Sequence, residues 1–456
     1  MHTSYARSFV SLAMVLYYCL GPLATAETGR PLPSTAWQRP VAVYSFALYF
    51  DAKRGDAPEK LARKLATDPQ FGFHVVDKPD VGAKDKRTLT LSSIVGNVET
   101  AYKPPSMESL KYFGRGLSLA QAQALQKSPQ VLVMVFAHPA RDALPNLLRA
   151  NEFALSLATQ TQALIWDEET REIFTPDVWK QSRIATWEGP WPDASRHTVI
   201  HAYNNKGKVR SITLGMGKFA LPDLVINDTT WSLNGPLGTT INLTAQKLVE
   251  SDRPLDSGQL DFQIASLKHS AVRKKIASSV INKGQARGSV QLLQTTAQDG
   301  DPDNALLELR FPQFAGTDST SRQTAFVTSV FGAHADDIIR VKHDTDVREA
   351  SERARKQLPT LKAAFTAGLR PGETLSFKAP FATATGGTEW MWVEVTKWSG
   401  NQISGMLRNE PREVPSLKAG QIVDIKQDEV FDYIRRSPDG KQEGNETGEI
   451  LSKVRK

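Results

Sequence analysis

The sequence has almost no cysteine, and its one cysteine lies in a segment that we expect to be removed. Among 456 residues, only Cys19 can form a thiolate or a disulfide. It falls within the apolar segment Phe9–Leu20, which follows a weakly basic start and is too short to span a bilayer. This pattern is typical of a secretory signal peptide. We therefore predict a mature chain without disulfides, Cys-ligated metals or cysteine nucleophiles.

Small residues after the apolar segment predict where the signal peptide is cut. Gly21 and Pro22 end the apolar helix, and Ala24-Thr25-Ala26 supplies the small side chains that a signal peptidase requires. We predict cleavage between Ala26 and Glu27, and hence a periplasmic or secreted protein. An uncleaved N-terminal anchor is the alternative. The sequence has no second apolar stretch that could span a membrane.

Several familiar catalytic patterns are also absent from the sequence. There is no Gly-x-Ser-x-Gly nucleophile elbow. Gly215–Lys218 is no phosphate loop, because the glycine four residues earlier and the following Ser or Thr are both missing. We therefore identify no catalytic residue and predict no cofactor, although carboxylates from separate domains could still form a site.

The histidines and aspartates do not form a convincing metal site. His197 and His201 lie in a predicted strand, where residues four apart are separated by about 13 Å. Asp299, Asp301 and Asp303 resemble the start of a calcium loop without its glycine and bidentate glutamate, so a polar loop is preferred. The richest ligand cluster is interpreted as a capped, solvated linker; it comprises His334, Asp336, Asp337, His343 and Asp344. No metal is predicted.

Charge and composition favour a soluble protein with anionic partners. The chain carries 56 Lys and Arg against 49 Asp and Glu, a formal net charge of +7, with 40% hydrophobic residues. A basic surface raises encounter rates with anionic molecules such as lipid head groups or acidic glycans. Nucleic acid is a poor candidate for an exported protein. The densest basic run, Lys268–Arg287, has apolar residues near helical spacing and is interpreted as a solvated helix face.

Strands alternate with helices in the first part of the chain, which predicts a layered domain. We expect strands at Val41–Asp51, Gln130–Ala137 and Ala163–Asp167, and helices at Ala57–Ala66, Ser106–Lys127 and Ala140–Thr159. The next region reads as α+β. It begins with a hairpin of His197–Tyr203 and Lys208–Leu214, followed by strands at Gln259–Ala265, Ser289–Thr295 and Ala305–Phe311 and helices at Leu267–Ile281 and Arg322–Phe331.

The last part of the chain combines one helix with a small meander. Apolar residues from Val347 to Phe365 recur at steps of three and four, and Pro359 should kink or split this helix. Strands are predicted at Thr374–Ala379, Glu389–Trp398, Gln402–Leu407 and Ile422–Lys426, which implies a small antiparallel sheet or a barrel-like domain. The predicted class is multi-domain α+β. Its predicted parts are a signal peptide (1–26), a linker (27–40), an N-terminal α/β-type layered domain (41–195), a central α+β domain (196–344) and a C-terminal domain (345–450).

Separated motifs in the C-terminal region resemble a bacterial family known only as domain of unknown function 2314, to which the small exported protein YegJ also belongs. They are Ala354–Pro359, Phe377–Phe381, Glu389–Val393, Ile403–Leu407, Asn409–Pro411, Leu417–Gly420, and Asp432 followed by Gly440-Lys441. The family often has His where this chain has Trp390, and an Asp-Trp pair appears here as Asp432-Tyr433. Further similarity joins Ile165–Thr170 and Thr213–Leu224 to uncharacterised domains that precede this one in related proteins.

Most of these motif residues have structural explanations. Trp390, Trp392 and Trp398 alternate by two, so we expect them on one face of a strand, as core rather than a ligand platform. Gly405 suits a bulge and Gly420 a turn. Polar or aromatic motif positions are left as candidate binding residues, which could line a shared site or cap local backbone; they are Lys378, Glu389, Trp392, Asn409 and Asp432.

The absence of a catalytic motif favours a non-catalytic binding or interaction module of the cell envelope. Its partner would be an envelope protein or an anionic envelope component. An immunity-like role, in which the protein occludes the site of a toxin, is one version and rests on analogy alone. The competing hypothesis is a hydrolase acting on an envelope substrate, with a site that the sequence does not reveal.

Overall fold

The computed structural model of the protein describes most of the chain after residue 38. The described residues are 39–79, 85–205, 208–251, 258–281, 284–298, 300–332, 345–384, 386–409, 411–437 and 441–453. The predicted signal peptide, with Cys19 and the Ala26-Glu27 cleavage site, lies outside them, as do Asp299 and the cluster from His334 to Asp344. The chain forms three mixed helix-and-sheet units, and the predicted α+β class is confirmed.

The first unit is a seven-stranded sheet with helices on both faces. Its strand order is β2-β3-β5-β1-β6-β7-β4. The strands are β1 (Val41–Phe50), β2 (His74–Val75), β3 (Thr88–Val95), β4 (Gly114–Arg115), β5 (Gln130–Pro139), β6 (Leu164–Asp167) and β7 (Glu172–Phe174). The helices are α1 (Ala57–Ala66), α2 (Val98–Ala101), α3 (Met107–Phe113), α4 (Leu119–Leu125), α5 (Ala143–Thr161) and α6 (Pro176–Trp179).

The apolar run of β5 explains this layering. All ten of its residues are buried, as expected for a strand covered on both faces. Leu132 and Phe136 pack in the cluster that contains α1 and α5, whereas Val131 and Val133 pack with residues of α3 and α4. The sheet is therefore the middle layer of three.

The second unit is a six-stranded sheet in the order β11-β12-β13-β10-β9-β8. Its strands are β8 (Val199–Asn205), β9 (Lys208–Leu214), β10 (Asp223–Thr229), β11 (Gln259–Gln263), β12 (Arg287–Thr295) and β13 (Leu306–Arg310); its helices are α7 (Trp231–Val249), α8 (Ser270–Ala277) and α9 (Ser319–Phe331). The predicted hairpin is confirmed, because β8 pairs antiparallel with β9. Val199 lies opposite Leu214 at one end of the pairing, and Asn205 lies opposite Lys208 at the other. Buried residues of the first two units form one continuous hydrophobic cluster.

The third unit is an open antiparallel sheet covered by one long helix. Its order is β17-β16-β15-β14-β18-β19, so of the two predicted forms it is a sheet and not a closed barrel. The strands are β14 (Thr374–Ala382), β15 (Thr388–Ser399), β16 (Gln402–Leu407), β17 (Ile422–Lys426), β18 (Asp432–Arg436) and β19 (Gln442–Gly444), and the helices are α10 (Thr345–Ala367) and α11 (Glu446–Lys453).

One helix prediction was wrong, and a predicted helix split is not seen. The segment Ser106–Lys127 is not one helix, because α3 and α4 are separated by β4. Helix α3 ends before Gly114, whose backbone is extended, and a Cβ there would lie 2.4 Å from Cβ of Pro371. Pro359 does not split α10, which continues through it while Leu358 and Leu361 pack on the sheet.

Candidate functional site

A bulge in β15 sorts the tryptophans of the C-terminal motif onto two faces of the sheet. The pairing of β15 with β16 shifts register between Val395 and Lys397, opposite Gly405. Met391 and Val393 point into the core before the bulge, and Trp398 does so after it. The prediction that all three tryptophans share a face was therefore wrong, because an extra residue reverses the alternation. Trp390 and Trp392 lie half-buried on the outer face of the sheet.

Three of the candidate binding residues are neighbours on that outer face. Lys378 of β14 lies directly opposite Trp392 of β15 on one side and Asp432 of β18 on the other. The ammonium of Lys378 is 5.9 Å from the centroid of the Trp392 ring, within the range of a cation–π contact. Burial lowers the pKa of Lys378, and the charge of Asp432 opposes that shift.

The remaining polar candidates hold local backbone. Asp432 Oδ2 accepts hydrogen bonds from the backbone N–H and the hydroxyl of Thr447, at 3.0 and 2.6 Å, which fixes the start of α11. Glu389 accepts bonds from the N–H groups of Arg412 and Glu413. Asn409 Oδ1 accepts one from the N–H of Trp392 at 2.5 Å. Their contacts are those of capping residues.

Trp392 also lines a cleft between the outer face of the C-terminal sheet and the first unit. The cleft has a volume of about 510 Å³, within the range of about 300–1,000 Å³ typical of ligand pockets. We call it the cationic cleft. Its lining is Lys111, Tyr112, Arg115, Gly372, Thr374, Ser376, Trp392, Glu394, Arg408, Ile434, Arg436 and Ser437.

Backbone contacts hold the two walls of the cationic cleft together. The N–H of Gly372 donates to the carbonyl of Lys111 at 2.8 Å. Next to this bond, the missing side chain of Gly114 lets the chain pass close to Pro371. The first unit supplies Lys111, Tyr112 and Arg115 at this junction, and the C-terminal sheet supplies the opposite wall.

The charges in the cationic cleft are predominantly positive. Four cationic side chains line it, against the single carboxylate of Glu394. Arg408 lies 3.6 Å from Glu394, and Arg115 pairs with the buried Glu172 at 2.7 Å. Within the described part of the chain, no carboxylate lies within 4.0 Å of the charged nitrogens of Lys111 or Arg436. Burial and the neighbouring Glu394 raise the pKa of Tyr112, so its hydroxyl stays neutral.

Arg115 also connects this cleft to a second polar feature, which we call the buried ion cluster. Its members are Asp167, Glu169, Glu172, Arg183, Lys218 and Asp223. Glu172 bridges Arg115 and Arg183, and Arg183 reaches Asp167 at 3.0 Å. The cluster brings together the two upstream motifs, Ile165–Thr170 and Thr213–Leu224, which the sequence could not place side by side.

The carboxyl groups of the buried ion cluster have pKa values shifted in opposite directions. Burial raises the pKa of Glu169 to about 8, and Asp167 and Asp223 add to that rise while Lys218 opposes it. Burial raises the pKa of Asp223 to about 6 against the bonds that it accepts. Burial also favours a higher pKa for Asp167, but the positive charges of Lys218 and Arg183 outweigh burial, so the pKa of Asp167 is lowered. A raised pKa of this kind favours the protonated form of Glu169 at neutral pH.

Among the described residues, His197 and His201 belong to no group of metal-ligating side chains. His201 lies on β8, and His197 lies just before that strand, fully buried, with burial lowering the pKa of its imidazole. Among the residues that the structure describes, no group of three or more His, Cys, Asp or Glu side chains is arranged to hold a metal ion. Asp301 instead forms a buried ion pair with Arg210 at 2.5 Å.

These features describe a three-sheet α+β protein with one cationic cleft and one buried ion cluster. Residues 344–453 match a family described as "Uncharacterized protein conserved in bacteria (DUF2314)", which confirms the predicted resemblance of the C-terminal region. That description names no activity. No curated protein and no solved structure matches the chain. No helix in the described ranges is both long and apolar enough to cross a membrane.

The cationic cleft escaped the sequence analysis, apart from Trp392. Its residues are distributed from Lys111 to Ser437, and no spacing rule links α3 to β18. The outward-facing positions of β14, β15 and β18 could have indicated the sheet wall of the cleft. To group them, one has to know that these strands are neighbours, and the sequence alone does not provide the strand order.

Proposed function

We propose that the protein is an exported, non-catalytic binding module of the bacterial cell envelope, which holds an anionic envelope component in the cationic cleft. The observation that carries this proposal is the convergence of Lys111, Arg115, Arg408 and Arg436 on one cleft with a single carboxylate. A cleft lined by one sign of charge concentrates ligands of the opposite sign. The net charge of +7 supports the same choice of partner.

Cosedimentation with isolated cell envelopes tests the binding site. The triple variant Lys111→Gln/Arg408→Gln/Arg436→Gln should lose most of its retention, because it removes three of the four cations in the cleft. The matched control Lys64→Gln/Lys274→Gln/Lys356→Gln changes three exposed lysines outside the cleft. It should be retained like the wild type. Equal loss in both triples would mean that net charge, and not the cleft, holds the protein.

Export is tested on its own. The protein should be recovered from the periplasm or the medium, and sequencing of its N-terminus should begin at Glu27. Recovery from the cytoplasm with Met1 intact would contradict this part of the proposal. Affinity purification of the same material, with mass spectrometry, identifies any envelope protein that binds alongside or instead of an anionic component.

A hydrolase is the competing function, and the raised pKa of Glu169 is the observation that favours it. A carboxylic acid that is protonated at neutral pH can act as a general acid. We prefer binding because the cluster's other carboxylates already have partners: Asp167 and Glu172 pair with cations, and Asp223 accepts three hydrogen bonds. A hydrolytic activity on envelope material that Glu169→Gln abolishes, with folding intact, would reverse this preference.

A further inference from the structure

We infer that the ligand of the cationic cleft is an acidic oligosaccharide, with a sugar ring packed on Trp392 and its carboxylates held by the arginines at the two sides. This inference rests on the anion-binding function proposed above and names its ligand class. The spacing of the cations, the polar groups between them and the half-buried ring of Trp392 support this ligand class.

The cations of the sheet wall are spread out. Arg408 directly follows β16, and Arg436 ends β18. These strands are separated by β15 and β14. Three strand spacings place their backbones at least about 14 Å apart. Arg436 lies opposite Thr374, whereas Arg408 lies beside Trp392, so the two arginines are also offset along the strands. One phosphate or one carboxylate cannot contact both guanidinium groups while they remain extended from such positions. An elongated ligand with separated negative groups fits the arrangement.

The middle of the cleft is polar but not cationic. Thr374 and Ser376 contribute hydroxyls from β14, and the Glu394 carboxylate lies directly opposite Ser376. Hydroxyls can donate or accept hydrogen bonds, and a carboxylate accepts them. A hydroxyl-rich ligand segment matches this surface. Lipid acyl chains would find only Ile434 and the rings of Trp392 and Tyr112 as large apolar surface in the cleft.

Trp392 provides the remaining contact. Its ring is half-buried on the outer face, lines the cleft, and has the Lys378 ammonium 5.9 Å from its centroid. A large aromatic ring offers a rigid apolar surface at the edge of a polar site. The C–H face of a pyranose can pack on such a ring while its hydroxyls point towards Ser376 and Thr374. An acidic sugar can therefore contact the cations, the hydroxyls and the aromatic ring that line the cleft.

Isothermal titration of the full chain with trigalacturonate tests the inference. We expect binding, and about a tenfold loss of affinity in each of two variants, Trp392→Leu and Arg408→Gln/Arg436→Gln. The fully methyl-esterified trimer, which keeps the rings but has no charge, should also bind about tenfold more weakly. Lys274→Gln, an exposed control outside the cleft, should bind within about twofold of the wild type. Circular dichroism melting curves confirm that each variant is folded.

Inorganic phosphate and vesicles of phosphatidylglycerol and phosphatidylcholine complete the titrations. If either binds as tightly as the trimer, or if Trp392→Leu binds the trimer normally, the sugar inference is overturned. In both cases a loss in Arg408→Gln/Arg436→Gln would leave the anion-binding function standing. If no anion binds in a way that depends on these arginines, both the inference and the proposed function fail.

Discussion

Lys218 and Asp167 form a fully buried ion pair, in which Nζ of Lys218 lies 2.5 Å from Oδ2 of Asp167. Asp167 ends β6 in the first sheet, and Lys218 lies in the turn between β9 and β10 of the second. The pair sits among apolar residues that the two sheets share. Because the pair joins the first two units, substitutions in it measure how much the contact between these units contributes to stability.

Removing one partner of this pair should strongly destabilise the fold. In Lys218→Met, the Asp167 carboxylate stays buried with Arg183 as its remaining cation. We expect the free energy of unfolding to fall by about 3–5 kcal/mol, the usual cost of breaking a buried pair. Urea denaturation measures this change. The exposed Lys274→Met should change stability by no more than about 0.5 kcal/mol.

A double-mutant cycle tests whether the two residues act as a pair. Asp167→Asn alone should also destabilise, because Lys218 and Arg183 both lose their shared anion. If the ion pair is the cause, Asp167→Asn/Lys218→Met should lose less stability than the sum of the single changes. Strictly additive losses would show that the residues stabilise the fold independently.

Glu169 should make stability fall as the pH rises. Its pKa is about 8 in the folded protein against an ordinary value of 4.5. Between these pH values the folded state binds a proton that the unfolded chain has released. Raising the pH therefore favours unfolding, by up to about 1.4 kcal/mol per pH unit. Below about pH 4.5 and above about pH 8 this contribution should be flat.

Comparison with Glu169→Gln isolates this effect from other titrating groups. The amide has a similar shape and does not titrate. The stability of the wild type minus that of the variant should therefore decrease steadily from pH 5 to pH 8 in urea denaturation. Parallel curves for the two proteins would contradict a raised pKa at Glu169.

Local sequence patterns predicted those elements whose structure depends on near neighbours. Helix Ala57–Ala66 and strand Gln402–Leu407 have the bounds that their patterns indicated. Gly405 does lie at a bulge, opposite the register shift between Val395 and Lys397, and a Cβ there would be 2.3 Å from the carbonyl oxygen of Glu394. Gly420 has a positive φ of 82°, as its predicted turn requires. In each case the residues that determine the local structure are near neighbours in the chain or lie on the adjacent strand.

Tertiary contacts decided what the patterns missed. Helix α7 contains Gly235, Pro236 and Gly238, which disfavour helix, yet Leu237 and Ile241 are fully buried and hold it in place. The bulge inserted one residue between Trp392 and Trp398, so Trp398 faces the core as predicted while Trp390 and Trp392 do not. The cationic cleft depends on the approach of α3 to the C-terminal sheet. None of these contacts leaves a periodic signal in the sequence.

The two faces of β15 predict different outcomes for its tryptophans. Trp398 is 8% exposed and meets the Phe377 ring edge-on at 5.0 Å. Trp398→Ala should therefore cost about 3–5 kcal/mol of stability. Trp392→Ala should cost less than half as much, because its half-buried ring lies outside the core. Thermal and urea unfolding measure both. Equal losses would restore the view that both rings belong to the core.

The polar motif positions should separate into structural and surface roles. Asp432 is fully buried, and its Oδ2 accepts both bonds from Thr447 at the start of α11. In Asp432→Asn the amide NH₂ can take the place of Oδ2, so that the N–H of Thr447 would face another donor and lose its acceptor. We expect a loss of about 1–3 kcal/mol and faster hydrogen exchange along α11.

Lys378→Met is the matched comparison on the same row of the sheet. It keeps the length of the side chain and removes only a charge whose pKa burial already lowers, so stability should change little. Glu389→Gln should fall between the two, because one amide oxygen can still accept a bond from Arg412 or Glu413. If Asp432→Asn instead leaves stability and exchange unchanged while envelope retention is lost, then Asp432 contacts the ligand and is not an anchor of α11.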